Sequence, residues 1–457
     1  VSTFFAEHAL LPDGWAGNVR IETDAAGWIL AVVPDGPRHG AELLRGPVLP
    51  GMPNAHCHAF QRAMAGLAER SGETNRNADS FWTWRERMYA FLQRLTPEHA
   101  HAIARQLYVE LLKHGYTAVA EFHYVHRRPD GSAYAPPTAM AAAHLAAARD
   151  AGIAITLLPA LYAYGGFGGR PLSAAQRRFA TTPDDVLQMV AILRGHTTPD
   201  ARIGVAPHSL RAVDEAALSR LLGGLPPDVP VHIHLAEQLR EVADCVAWSG
   251  QRPAQWLLER FPVDSRWCLV HATHLTDAET DALAASDAAV VLCPTTEANL
   301  GDGLFPLARY LRAGGRLAIG SDSNVCRNPA EELRWLEYGQ RLHGHARAVA
   351  ATAPNESVGT RLWTDALAGG AQCMDRRMAM LVPGTRADLV VLDAAHPALD
   401  GLPAEHLLDA LVFATDATPV RDVMVGGRWL VRDGQHARED EIALAWAAAR
   451  ADLLRAA

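Results

Sequence analysis

The chain has 457 residues, 49% of them hydrophobic and 20% charged, which suits a globular protein with a large core and more than one domain. A formal net charge of −9 with no basic run argues against a nucleic-acid-binding surface. No stretch of about eighteen uninterrupted apolar residues and no signal-like N-terminus occurs, so neither a membrane span nor secretion is expected.

Residues 1–47 alternate apolar and polar positions between Asp/Gly turns, as in a small β-layer. The Pro/Gly-bounded apolar run 48–58 then reads as a buried strand ending in His56-Cys57-His58. Side chains at i and i+2 of a strand leave on one face, so both imidazoles can reach one point, most simply a metal ion. A lone pair of this kind can also be a satisfied polar core. Further strand-like runs follow at 117–123, 153–160, 202–208, 231–237, 268–274, 289–294 and 317–322. Helical spacing predicts helices between them, such as 97–114 with Thr96 as its cap, and 138–151. Strand and helix alternating in eight units predict parallel pairing in a closed (β/α)₈ barrel over 48–380. An open doubly wound sheet is the alternative, weakened because no GxGxxG follows any strand. Two long loops, 66–79 and 165–182, read as lids or substrate loops. Short apolar strands return at 387–393 and 420–431, so 1–47 and 381–457 are expected to form one small β-sandwich domain from both ends.

The metal-capable side chains gather where a barrel keeps its active site, at the C-terminal ends of the strands. Strand one ends in His56 and His58, strand four in His208, strand five in His232, His234 and Glu237, strand six in His271 and strand eight in Asp322. Five such endings on converging strands outweigh the polar-core reading. A catalytic zinc takes about three or four nitrogen and oxygen ligands and keeps room for water. His56, His58, a histidine of strand five and Asp322 supply them. His232 and His234 share a face; His234 is preferred because it opens a His-x-x-Glu pattern that sets Glu237 beside the metal, with His232 one layer deeper. Lys113, the only lysine, falls on a predicted helix, so no strand offers a modified lysine to bridge two ions, and one metal is favoured. The same donors accept iron, manganese or cobalt. The six cysteines are scattered without a CxxC pair, which fits a reducing, cytoplasmic setting.

Together, HxH, HxxE, the strand-six His and the strand-eight Asp resemble the single-metal deaminase branch of the amidohydrolase superfamily. The run 384–393 and the domain built from both termini fit the same pattern. Longer runs, among them 50–66, 80–85, 120–126, 208–213, 296–303 and 331–342, resemble the formimidoylglutamate deiminases of histidine degradation. That resemblance implies hydrolysis of N-formimidoyl-L-glutamate to N-formyl-L-glutamate and ammonia, and a homodimer. It implies metal ligation by His56, His58, His234 and Asp322 and catalysis by Glu237, His271 and Asp322. It places Gln61, Arg85, Tyr124, His208 and Arg211 around the substrate. A metal-acidified water suits these roles: Asp322 as base, His271 orienting, Glu237 carrying a proton to nitrogen. A small-molecule substrate with two carboxylates suits Arg85 and Arg211. A nucleobase or adenosyl-type substrate is the alternative, and a non-enzymatic barrel a third. Two positions depart from the pattern. Cys57 stands where a serine is common, and it is expected to point away from the metal. Asn324 stands where a histidine is usual.

Overall fold

The computed structural model describes residues 1–70 and 81–455. The second half of the expected loop 66–79, and Ser80, lie outside the described residues.

Eight parallel strand positions close into a barrel. They are Met52–Cys57, Tyr116–His123, Ala154–Leu161, the broken pair Ala201–Ile203 and Ala206–Pro207, Val231–Leu235, Trp267–His271, Ala289–Leu292 and Arg316–Ile319. Ladder hydrogen bonds unite the first four positions in one arc and the last four in another. Parallel bridges from Val205 to Val231 and Ser209 to His234 join the arcs on one side. Cys57 and Asp322 bridge the other seam, which settles the choice against an open sheet. The strands are buried on both faces, every residue of Tyr116–His123 included, as expected for a parallel sheet covered by helices. The helix Pro97–Lys113 starts as read: Thr96 Oγ1 accepts from the His99 amide, and proline fills the first turn where its missing N–H costs nothing.

The opening stretch is not one strand. Val48–Pro50 pairs with both chain ends, Ala9 lying opposite Val48 and Leu389 opposite Pro50, whereas Met52–Cys57 enters the barrel. Gly51 makes the break. Its amide donates to the Asp388 carbonyl at 3.0 Å, and a Cβ there would stand 2.2 Å from the Thr117 hydroxyl oxygen. Only glycine lets the chain pass this close.

The two ends meet in one nine-stranded sheet running from Gln435–His436 through Leu389–Leu392, Val48–Pro50 and Ser2–Leu11 to Ile29–Val33. The sheet curls, because the Ile29 amide donates back to the Thr385 carbonyl at 2.9 Å. Inside the curl Phe4, Val19, Ile21, Val48, Leu389 and Met424 form a core separate from the barrel's. The segment 381–457 is not all sheet. Its last helix, Glu439–Leu454, lies against Pro97–Lys113, with Glu441 3.0 Å from Arg105. No helix among the described residues is long and apolar enough to cross a membrane.

Candidate active site

Strand periodicity sends His56 and His58 into the barrel and Cys57 outward, where its thiol faces the Asn324 side-chain oxygen at 3.6 Å. Both imidazoles stand edge-on to the Phe122 ring, with centroids 5.3 Å away, and His234 packs on the same ring at 4.4 Å. His58 Nδ1 donates to the Phe122 carbonyl at 2.8 Å, and His234 Nδ1 to the His208 carbonyl at 2.9 Å. Because a carbonyl only accepts, each ring carries its proton on Nδ1, and its Nε2 lone pair faces the barrel axis. His56 Nε2 lies 3.2 Å from His234 Nε2, and both His56 and His58 Nε2 lie 3.5 Å from Asp322 Oδ1.

His56, His58 and His234 present ligand atoms within 4.8 Å of one another, as do His56, His271 and Asp322. Both triads share His56, so they describe one centre among the described residues. Three buried neutral imidazoles and a carboxylate converging on a point fit a divalent ion. Burial lowers His56 to about 3 and pulls His58 and His234 down, so the rings stay in the neutral form that ligates. Burial pushes the Asp322 carboxyl up, but the hydrogen bond to His56, together with the neighbouring His58 and the charged His271, holds it well below the usual carboxylate range. His232 lies outside the cluster; its Nε2 meets the Cys373 carbonyl at 2.8 Å.

His271 faces the other side of Asp322. Its Nε2 is 3.7 Å from both Asp322 Oδ2 and Glu237 Oε1, and its Nδ1 is 3.2 Å from Glu297 Oε1. Burial works against its charge, yet Glu237, Glu297 and Asp322 together raise it to about 10. Glu237 is pushed up to about 7 by burial, partly offset by His271 and Arg211. The backbone here is strained: His271 and Asp322 sit at φ 69° and 42°, in the left-handed region that favours glycine.

One cavity joins this cluster to the remaining expected residues. His58, His234, Glu237, His271 and Asp322 form one end, and Gln61, Arg85, Tyr124, His208 and Arg211 line the rest. Gln61 donates to the Tyr124 hydroxyl at 3.1 Å, while its own oxygen is buried without a hydrogen-bond partner among the described residues. Arg211 stands 3.8 Å from both Glu237 and Glu241, and Arg85 lies over the Trp82 ring at 4.6 Å.

The amidohydrolase family model matches residues 48–430, and a model described as the N-terminal domain of formimidoylglutamate deiminase HutF matches residues 1–45. The chain belongs to the amidohydrolase family. A formimidoylglutamate deiminase of Pseudomonas aeruginosa is 52% identical, covering 99% of this chain and 100% of its own. A 5-methylthioadenosine/S-adenosylhomocysteine deaminase of Natronomonas pharaonis is 28% identical over 84% of this chain and 81% of its own. Among solved structures, an amidohydrolase from Brucella melitensis superposes with a TM-score of 0.93 at 46% identity, covering 99% of this chain and 100% of its own. An adenosine deaminase from Xanthomonas campestris with bound zinc shares the fold at a TM-score of 0.81 and 22% identity, covering 99% and 98%. Like its family, the chain is a hydrolase.

Two partners in this amidohydrolase site escaped the sequence reading. Glu297 holds His271 Nδ1 and also accepts from the Cys293 amide at 2.9 Å. The run 296–303 contained it, but strand seven itself ends in no histidine or carboxylate. Glu241, four residues past Glu237 on the next helix, backs Arg211. Asn324 ties the closing seam rather than the centre: its amide donates to the carbonyls of His58 at 3.0 Å and Asp322 at 2.9 Å.

Proposed function

We propose that this protein hydrolyses N-formimidoyl-L-glutamate to N-formyl-L-glutamate and ammonia, a step in histidine degradation, in the cytoplasm and as a homodimer. One observation carries the reading. A single cavity sets a histidine/aspartate centre at one end and the guanidiniums of Arg85 and Arg211 on its wall, in a chain 52% identical to a formimidoylglutamate deiminase. Two fixed cations suit a substrate with two carboxylates and suit an adenosyl-type ring poorly.

In this reading His56, His58, His234 and Asp322 would hold one divalent ion, zinc by its preference for nitrogen and oxygen donors; the set would also accept iron or manganese. When bound, such an ion supplies an acidified water and polarises the group under attack. Asp322 Oδ2, turned toward His271 and away from the other ligands, takes the proton. His271, fixed through Nδ1 by Glu297, uses Nε2 to orient the attacking oxygen. A C–O bond forms at the formimidoyl carbon and the C–N bond to the terminal nitrogen breaks. Glu237, held near neutrality at about 7, delivers the proton with which ammonia leaves. Arg85 and Arg211 anchor the carboxylates, with Gln61, Tyr124 and His208 as neutral contacts.

The test is ammonia release by the purified protein from N-formimidoyl-L-glutamate, set against guanine, cytosine and S-adenosylhomocysteine. Turnover confined to the first is expected. Turnover of another compound in its place sinks the reading.

A further inference from the structure

A second, wider chamber lies beside the reaction cavity, and the chemistry above leaves it unused. Its volume is about 300 Å³, enough for a small dicarboxylate. Arg85, Tyr162 and Arg211 line both spaces, so they stand between them. On its far side the chamber adds Arg170, from the loop after strand three, and Arg240, from the start of helix Leu239–Ser249. Among the described residues four guanidiniums thus line one opening of a chain whose net charge is −9.

Three of these arginines are gathered by one indole. The Trp82 ring carries Arg85 and Arg240, each 4.6 Å from its centroid, and Arg211 at 5.9 Å. An aromatic face tolerates several cations where their mutual repulsion would otherwise spread them. Among the described residues the acidic neighbours only partly offset this charge. Arg211 has Glu237 and Glu241 behind it at 3.8 Å, and Arg85 has the exposed Glu86 at 4.0 Å. Arg240 pairs with Asp244 at 3.7 Å, but both side chains are well exposed, 62% and 46%, and such a pair holds its cation weakly. The far wall is built rather than loose: Phe167 stacks on Trp248 at 5.5 Å, and the loop tip closes through the Gly165 amide to the Arg170 carbonyl at 2.8 Å.

We propose that this chamber is a separate anion-binding subsite, centred on Arg170 and Arg240, that captures a dicarboxylate before it passes between Arg85 and Arg211. The proposal rests on the dicarboxylate reading of the reaction cavity. Capture of this kind concentrates an anionic substrate at the mouth of an otherwise acidic protein, and it weakens as salt screens the field.

The test is the double variant Arg170→Gln/Arg240→Gln, both positions being exposed. At low ionic strength kcat/KM for N-formimidoyl-L-glutamate should fall roughly tenfold with kcat within about twofold, and the loss should shrink as salt is raised. An unchanged kcat/KM at low ionic strength overturns the proposal, and so does a kcat that falls in parallel. Should the parent protein not turn over this compound, the function fails on its own and calorimetric titration with glutarate decides the subsite. One glutarate fewer per variant chain than per parent chain supports it; equal binding to both overturns it.

Discussion

His271 links Glu297 to Asp322 through opposite ring nitrogens: Nδ1 lies 3.2 Å from Glu297, and Nε2 lies 3.7 Å from Asp322, as it does from Glu237. The outer carboxylate sets the ring's tautomer and angle, and the inner one shares its work. An imidazole fixed in this way loses orientation before it loses anything else when the outer partner goes. Glu297→Ala should therefore lower kcat by about 10- to 100-fold while bound metal stays near the parent level. Metal analysis beside steady-state kinetics checks both halves. Loss of metal in proportion to activity would assign Glu297 to the ion instead.

Asp322→Asn takes away the proposed base and weakens one proposed ligand, yet keeps the side chain's shape at the seam. Turnover should drop by at least about 10³-fold in a folded protein, read by kinetics and circular dichroism. Activity near the parent level would exclude Asp322 as base.

Arg211→Met should act on substrate rather than on metal. It removes a guanidinium from the cavity wall, so KM for N-formimidoyl-L-glutamate should rise at least about tenfold with metal content unchanged. Equal loss of metal would place Arg211 in the support of the ion.

A buried ion network fastens the barrel to the terminal sheet, and it carries a pH signature. Asp200, just ahead of strand four, is 2.9 Å from Arg376 and 3.0 Å from Arg386, and Arg376 reaches on to Asp388 at 2.7 Å. Burial opposes ionisation of Asp200, but the two arginines outweigh it and hold its carboxyl below the ordinary value. A carboxyl depressed on folding adds stability above its unfolded pKa of about 4, and that stability is lost as pH falls through the folded value. Asp200→Asn should cost about 2 kcal/mol at neutral pH, and the gap to the parent protein should close below about pH 4. Urea unfolding across pH 3–8 measures it; a gap that is constant with pH would detach the effect from the charge.

The barrel could be read from the sequence because each strand carries its own apolar run and each helix its own period. Strand ends converge in such a barrel, so His56, His58, His208, His234, Glu237, His271 and Asp322 could be grouped before any distance was known. What could not be read depends on contacts between distant parts of the chain. The break at Gly51 is set by the Thr117 side chain and the Asp388 carbonyl, neither of which marks residues 48–58. The duty of Asn324 is likewise set by the carbonyls of the strand it meets across the seam. The stacking of three arginines on Trp82 needed the helix Phe81–Leu92 to be placed over the barrel mouth.

The central claim joins one ion to one reaction, and one titration tests both. Metal-stripped protein is loaded stepwise with Zn²⁺ while ammonia and N-formyl-L-glutamate formed from N-formimidoyl-L-glutamate are measured. The rate should climb in proportion to added metal and level off at one equivalent per chain, with the two products formed in equal amounts. A rate that keeps climbing to two equivalents, or no ammonia at any loading, would contradict it.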